Sequence, residues 1–291
     1  MKKIPQLFLL LSLAVFMLSC AGSPKMLSIK DSERSFAAGT ILDTRSRSPV
    51  SFDALVKDLA TVQVVYVGES HTDAAHHRIQ LQILEALDRP DRPLSVGMEM
   101  FDTTYDSVLS RWSAGDLEPK AFIQMTHWYV NWGYDFALYR EILEAVQRRN
   151  LPLFGLNIPF HIPPKIAAGG MDSLLWPDNT FLPDEVDLTD PRHRAYLEKI
   201  YALHRMPENS SFEFFYEAQC VWEDAMAQAV AAHLQARPML VLVGKGHIVG
   251  KFGIPDRAFR RTREPFLTVM LVRAGETVDW GDADYVWVTQ P

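Results

Sequence analysis

An α/β fold, built as a largely parallel sheet with flanking helices plus a small helical subdomain, is what this chain of 291 residues predicts. Three observations carry it. Strongly apolar runs of strand length alternate with amphipathic stretches of helix length, the pattern of strands joined by crossover helices. Four of the runs finish on polar groups: Val64-Val65-Tyr66-Val67-Gly68-Glu69-Ser70-His71, Leu94-Ser95-Val96-Gly97-Met98-Glu99, Leu151-Pro152-Leu153-Phe154-Gly155-Leu156-Asn157 and Met239-Leu240-Val241-Leu242-Val243-Gly244-Lys245-Gly246-His247. The interval from Ile158 to Pro238 far exceeds the dozen or so residues of a simple crossover, so an extra unit is inserted there.

The N-terminal stretch reads as a secretory signal. Lys2 and Lys3 precede the apolar run Leu7 to Leu18, which is too short for a comfortable membrane span, and Ser19-Cys20-Ala21 follows. A cysteine directly after a small residue resembles the lipobox of bacterial lipoproteins. On that reading residues 1–19 are removed, Cys20 becomes the lipidated N-terminus, and residues 20–50 form a lipid-linked polar segment ahead of a domain spanning 51–291. Ala21, rather than an aspartate, is similar to the signal for outer-membrane sorting in a Gram-negative cell. Ordinary cleavage, leaving Cys20 a plain thiol, is the competing reading. Cys220 is the one other cysteine, so no internal disulfide forms and the fold rests on its core.

Ser70, Thr72 and Asp73 offer caps for a helix that places Ala75, Ile79, Ile83 and Leu87 on one face. His76 and His77 fall in its first turn, one of them expected at the surface or an interface. Asp135 opens another helix with Leu138, Ile142 and Val146 inward, which delivers the chain to the strand at 151–157. The insertion, at about 160–237, lacks clear strand runs but has helix-like stretches from Arg192 to Arg205 and from Ser211 to Ala236. In the second, Phe215, Val221 or Trp222, Met226 and Val230 lie near helical spacing. Branching from the strand ends, this subdomain would roof the crevice there, or else buttress the sheet. Strands Phe266 to Val272 and Tyr285 to Val288 close the chain, the last expected at an edge.

With 48% apolar and 22% charged residues the chain can bury a sizeable core, which excludes a disordered protein. Its net charge of −7 and scattered basic residues argue against a nucleic-acid partner. The single dense basic run, Arg257-Ala258-Phe259-Arg260-Arg261-Thr262-Arg263, reads as a solvated face.

In an open parallel sheet, ligands bind in the crevice outside the carboxyl ends of the strands, so strand-terminal residues distant in sequence can converge. Glu69, His71, Glu99 and His247 form such a set. Two imidazoles and two carboxylates suit a divalent metal, with an unligated carboxylate serving as general base toward metal-bound water. The structural alternative has Glu69 and Glu99 bonding backbone amides at helix N-termini and the histidines holding the fold. Gly244-Lys245-Gly246 lacks the spacing of a dinucleotide loop, and no Gly-x-Ser-x-Gly hydrolase elbow is present.

At these residues the chain resembles the ChaN-like haem-binding lipoproteins, a branch of the wider Tiki and erythromycin-esterase-like superfamily. The resemblance rests on Gly68-Glu69-Ser70-His71 with Ala75-His76-His77-Arg78-Ile79-Gln80, on Gly97-Met98-Glu99-Met100-Phe101, and on Leu156-Asn157-Ile158-Pro159. It continues through Ala218-Gln219-Cys220-Val221-Trp222-Glu223-Asp224-Ala225-Met226-Ala227, Gly244-Lys245-Gly246-His247 and Gly253-Ile254-Pro255-Asp256-Arg257, and so covers about residues 50 to 265. Phe160-His161 departs from it, since relatives often carry Arg-Glu there. The resemblance implies haem held at a dimer interface through a tyrosine, with His and Lys near the propionates. Tyr201 or Tyr216 is then the axial donor, and His204 and Lys199 are propionate partners, among Phe212, Phe214, Phe215 and Met206. The implied function is a haem-binding outer-membrane lipoprotein that assists haem and iron uptake, a homodimer with haem, with an outer-membrane haem receptor as partner. A metal-dependent hydrolase of peptide or ester bonds, using the two Gly-x-x-His units, is the alternative implied by the wider superfamily. A structural envelope lipoprotein with a vestigial site is a third.

Overall fold

The computed structural model describes residues 25–203, 210–234 and 237–291; the expected signal segment, Cys20, His204 and Met206 lie outside the described residues. The chain opens with four short strands, β1 (Leu27–Ile29), β2 (Ser35–Phe36), β3 (Ile41–Asp43) and β4 (Ser48–Val50), before α1 (Phe52–Leu59), β5 (Val64–Glu69), α2 (Ala74–Leu87) and β6 (Ser95–Asp102). Helices α3 (Asp106–Ser113), α4 (Pro119–Met125), α5 (Trp128–Asn131) and α6 (Arg140–Arg148) lead to β7 (Leu153–Asn157). The insertion supplies α7 (Ile162–Gly169), α8 (Pro191–Leu203) and α9 (Phe212–His233). After it come β8 (Met239–Gly244), α10 (Ile254–Thr262), β9 (Phe266–Arg273), β10 (Thr277–Val278) and β11 (Tyr285–Thr289).

The main sheet has eight strands in the order β4-β3-β11-β9-β5-β8-β6-β7, and β10-β1-β2 form a small second sheet. From β11 to β7 every pairing is parallel; only β3 and β4 run antiparallel. The expected α/β class, largely parallel sheet and helical subdomain are all present. Asp73 caps α2 by accepting from the amides of Ala75 and His76, and Ser51 caps α1 through Ala54. Side chains of β5 alternate between faces: Val65 and Val67 join the core under α1–α6, while Val64 and Tyr66 join the opposite core under α9 and α10.

The sequence and the structure differ at four places in the fold. Strand β11 is interior, because β3 pairs outside it. The boundary drawn at residue 51 sets apart strands that belong to the sheets: Leu27 and Leu42 are fully buried. His76 and His77 are both buried rather than one at the surface, since the first turn of α2 packs directly on the end of β5. Arg257, expected on a solvated face, is also buried. As for the insertion, α9 buttresses and carries at once. Its C-terminal half (Met226, Ala227, Val230) packs on the sheet, and its N-terminal half (Tyr216, Ala218, Cys220, Val221) holds α7 and α8.

The β6–β7 edge bounds the candidate site, and its register shifts between Met98 and Asp102. There Gly155 lies so close to the Asp102 carbonyl that a Cβ would overlap it, whereas one on Gly281 meets nothing within 4 Å. Gly155→Ala is expected to destabilise the protein by about 1–3 kcal/mol, while Gly281→Ala stays within about 0.5 kcal/mol. Denaturant unfolding of both variants measures the contrast.

Candidate functional site at the strand ends

Strands β5, β8, β6 and β7 are consecutive neighbours, so Glu69, the turn after Gly244, Glu99 and Asn157 come together at their carboxyl ends. Glu69 is buried, and its Oε1 accepts from the Tyr139 hydroxyl at 2.7 Å and meets His71 Nδ1 at 3.0 Å; His77 Nε2 lies 2.7 Å from Oε2. Burial pushes the Glu69 carboxyl up, but His71 and His77 outweigh it and hold the group below the usual carboxylate range. The same burial drives the Tyr139 phenol upward, reinforced by the Glu69 charge, so Tyr139 stays a hydrogen-bond donor.

His71 is the member of the set most open to solvent. Burial lowers its pKa, yet the hydrogen bond to Glu69 and the nearby Glu99 charge leave it raised. Its ring stands edge-on to Trp132 at 4.7 Å and tilts against Tyr134 at 5.4 Å, which gives the crevice an aromatic wall. On the other side it rests over Gly244, where a Cβ would come within 2.9 Å of His71 Cε1. The close approach is why this strand ends on glycine.

Glu99, buried in the middle of the set, accepts the Gly244 amide at 2.6 Å and lies 3.4 Å from His247 Nε2. The 3₁₀ turn Lys245–His247 brings that imidazole round to Glu223 on α9, with Nδ1 3.3 Å from Oε1. Burial alone would raise Glu99 and lower His247; facing each other, Glu99 falls to about 2 and His247 rises to about 10. The Asn157 amide donates to the Glu99 carbonyl at 2.9 Å and accepts from the Trp222 indole at 2.6 Å. Behind Glu223, His193 Nε2 lies 3.1 Å from its Oε2, and Arg257 bonds to Asp224.

The structure thus brings Glu69, His71, Glu99 and His247 into one site. Among the described residues no group of three or more His, Cys, Asp or Glu is arranged to hold a metal ion. Each carboxylate is neutralised by a histidine beside it, so the charges face one another instead of a shared centre. What the arrangement can do is hold and move protons: His71 is partly open, with a carboxylate behind it. Sequence reasoning missed Tyr139, His77, His193, Glu223 and Arg257 as members. His77, Glu223 and Arg257 lay within quoted motifs, but nothing in a linear motif says what they meet.

Residues 55–258 match the family model for haem-binding uptake proteins of the Tiki superfamily, ChaN. The chain belongs to that family. Among solved structures the ChaN of Campylobacter jejuni, described with cofacial heme binding, has a similar fold at a TM-score of 0.69 and 21% identity, over 85% of this chain and 95% of that one. An EreC erythromycin esterase mutant in its open conformation matches over 81% of this chain and 76% of its own, at 11% identity and a TM-score of 0.48. The type III effector HopBA1 matches over 82% and 92%, at 14% identity and 0.46. No curated protein matches the sequence.

The residues that the ChaN resemblance pointed to for haem are apart from the strand-end set, in the helical insertion. Tyr201 is half-buried near the end of α8, its hydroxyl 2.6 Å from Ser210 Oγ, with the rings of Phe212 and Phe215 at 5.5 and 5.4 Å. Tyr216 is buried on α9 and donates to the Leu188 carbonyl at 3.1 Å; burial pushes its phenol well above the usual range. Lys199 is exposed on α8. In the departing segment, His161 Nε2 lies 3.1 Å from Asp178, and Phe160 packs on Trp132 at 6.0 Å.

His247 and Glu99 fix the sign of a pH dependence. His247, raised to about 10, contributes stability that is complete below its ordinary pKa of 6.5 and is lost as pH rises through about 10. Glu99, lowered to about 2, contributes stability present above its ordinary 4.5 and lost as pH falls through about 2. Unfolding free energy is expected to fall between pH 7 and 10 by up to about 1.4 kcal/mol per pH unit. In His247→Gln that basic-side slope should be much reduced. Urea denaturation across this range checks it.

Proposed function

We propose that this protein binds haem and assists its uptake at the bacterial outer membrane, held there by an acyl chain on Cys20, with an outer-membrane haem receptor as its partner. The observation that carries the reading is the match of residues 55–258 to a family described as haem-binding uptake. The heme named for the Campylobacter ChaN is in keeping with it. The cargo is ferric haem, for which a phenolate is a hard anionic donor.

Of the two candidate donors, Tyr201 suits the role and Tyr216 does not. Tyr201, only half-buried, can exchange its bonds to the Ser210 hydroxyl and carbonyl for an iron, and Phe212, Phe215 and the exposed Leu203 supply apolar surface beside it. Freeing the Tyr216 phenol would break its bond to the Leu188 carbonyl and ionise a group that burial keeps neutral. Lys199 is a propionate partner on the same helix, with His204 as the second. A haem face left open favours burial against another subunit, so haem shifts the chain toward a homodimer. Haem titration of the purified protein should give a tyrosinate-type high-spin spectrum, abolished in Tyr201→Phe and retained in Tyr216→Phe, with dimer formation by sedimentation following the spectrum. Haem binding of unchanged spectrum and affinity in Tyr201→Phe would remove Tyr201 from the ligand set; no binding by wild type would remove the function.

Hydrolysis of a peptide or ester bond at the strand ends is the second reading, favoured by the convergence of Glu69, His71, Glu99 and His247 beside an aromatic wall. Metal-dependent chemistry would require these residues to exchange their mutual ion pairs for a metal. A panel of peptide and ester substrates, assayed with and without added divalent ions, tests it. Turnover that drops by a factor of about 100 or more in Glu69→Gln, the usual range for loss of a general base or its support, would promote it.

A further inference from the structure

Four of the most exposed apolar side chains stand on two tips: Tyr129 and Val130 on α5, and Leu175 and Trp176 on the loop after α7. A cleft of about 520 Å³ beside Val130 is lined by Tyr105, Phe160 and His161. His161 reaches Asp178, which borders a shallow depression together with Leu175 and Trp176. The two tips therefore belong to one continuous surface. Asp102 and Pro159 also wall the cleft, so this surface lies at the carboxyl ends of β6 and β7.

The described chain begins at the same end of the sheet. The Met26 carbonyl accepts from the Gly275 amide at 3.0 Å, and Gly275 follows the carboxyl end of β9 at Arg273. Strands β9 and β7 are separated by β5, β8 and β6, a span of roughly 20 Å at ordinary strand spacing. Five Cα steps link Cys20 to Lys25, a reach of at most about 18 Å. A chain anchored at Cys20 could not hold this end of the sheet far from the anchor.

From that tether and the exposed tips, we propose that the carboxyl-end face of the sheet lies on a lipid bilayer, with Trp176, Leu175 and Val130 entering its interfacial layer. The proposal rests on the Cys20 anchor for its orientation. Indole and phenol rings favour the interface, where an apolar body meets lipid and a polar edge meets headgroups. The four tip side chains are uncharged, so neutral lipid suffices. The strand-end set would then face the bilayer surface.

Trp176 is its own reporter. It is 80% exposed, whereas Trp112 and Trp128 are buried and Trp132, Trp222, Trp280 and Trp287 are half-buried. The chain from Cys20 onward, which keeps every described residue, can be coupled through Cys20 to a maleimide phospholipid in phosphatidylcholine vesicles, Cys220 being buried. Tryptophan emission should shift to shorter wavelength and be quenched by phosphatidylcholine brominated on its acyl chains, and Trp176→Phe should lose most of both effects. Emission that bromolipid leaves unquenched overturns the proposal. A shift that grows with protein concentration in lipid-free solution also overturns it, in favour of a second copy on this face. Chemical coupling replaces natural acylation, so failure here is separate from failure of the anchor itself, which fatty-acid labelling of wild type and Cys20→Ser in cells reports.

Discussion

The buried Glu99 carboxylate is the constraint on which the strand-end region depends. A charge with almost no solvent must be met by donors and an opposite charge, or the group neutralises. Glu99 is met by the Gly244 amide and by His247, so β6 and β8 are tied at their ends by more than their ladder. His247 carries the demand onward to Glu223 on α9, which meets His193 on α8 and Arg257 on α10; Arg257 and Arg261 in turn hold Asp224. One unbroken series of buried charges therefore joins the sheet to the inserted helices. Breaking such a buried pair by removing one partner typically costs about 3–5 kcal/mol, because the remaining charge is stranded.

This series also explains why α9 can serve two neighbours. Its apolar C-terminal half packs on the second face of the sheet, and its N-terminal half is the spine of the small helical clusters around Ile162 and Leu197. Glu223 and Asp224 sit where the two halves meet. Apolar packing by itself would tolerate sliding of the helix along the sheet; the directional ion pairs remove that freedom.

The two chemistries considered for this chain draw on different parts of it. The proposed haem binding draws on the aromatic end of α8 and α9, where the Tyr201 hydroxyl bonds to Ser210. Hydrolysis draws on the crevice, where His71 is the partly open imidazole and Glu69 and Tyr139 stand behind it. The pairings that make the crevice polar also quench it: with each histidine matched to a carboxylate, proton transfer is easier to support than capture of a bare cation. Family membership favours haem, and the crevice geometry gives the hydrolytic reading its specific foundation.

Much of this was legible in one dimension. Gly-polar steps after apolar runs marked the ends of β5, β7 and β8, because a parallel strand buried on both faces is largely apolar until it leaves the sheet, whereas β6 runs three residues past Glu99 to Asp102. The long interval between Ile158 and Pro238 exposed the insertion, and helical spacing located α8 and α9 to within a few residues. The short strands β1 to β4 were not legible: two or three residues hold no periodicity, and Pro49 speaks against a strand. Nor was the burial of Arg257, since a basic run carries no sign of which member turns inward to meet Asp224. The sequence by itself determined where the strands of the parallel sheet and the helices α2, α6, α8 and α9 fall, because these follow from local hydrophobic pattern and backbone propensity. Only the tertiary structure decided that β5, β8 and β6 are neighbours, that β11 is interior, and that Glu99 faces His247. Strand pairing runs through backbone groups common to nearly every residue, so strand order is settled by how the whole chain buries its two cores.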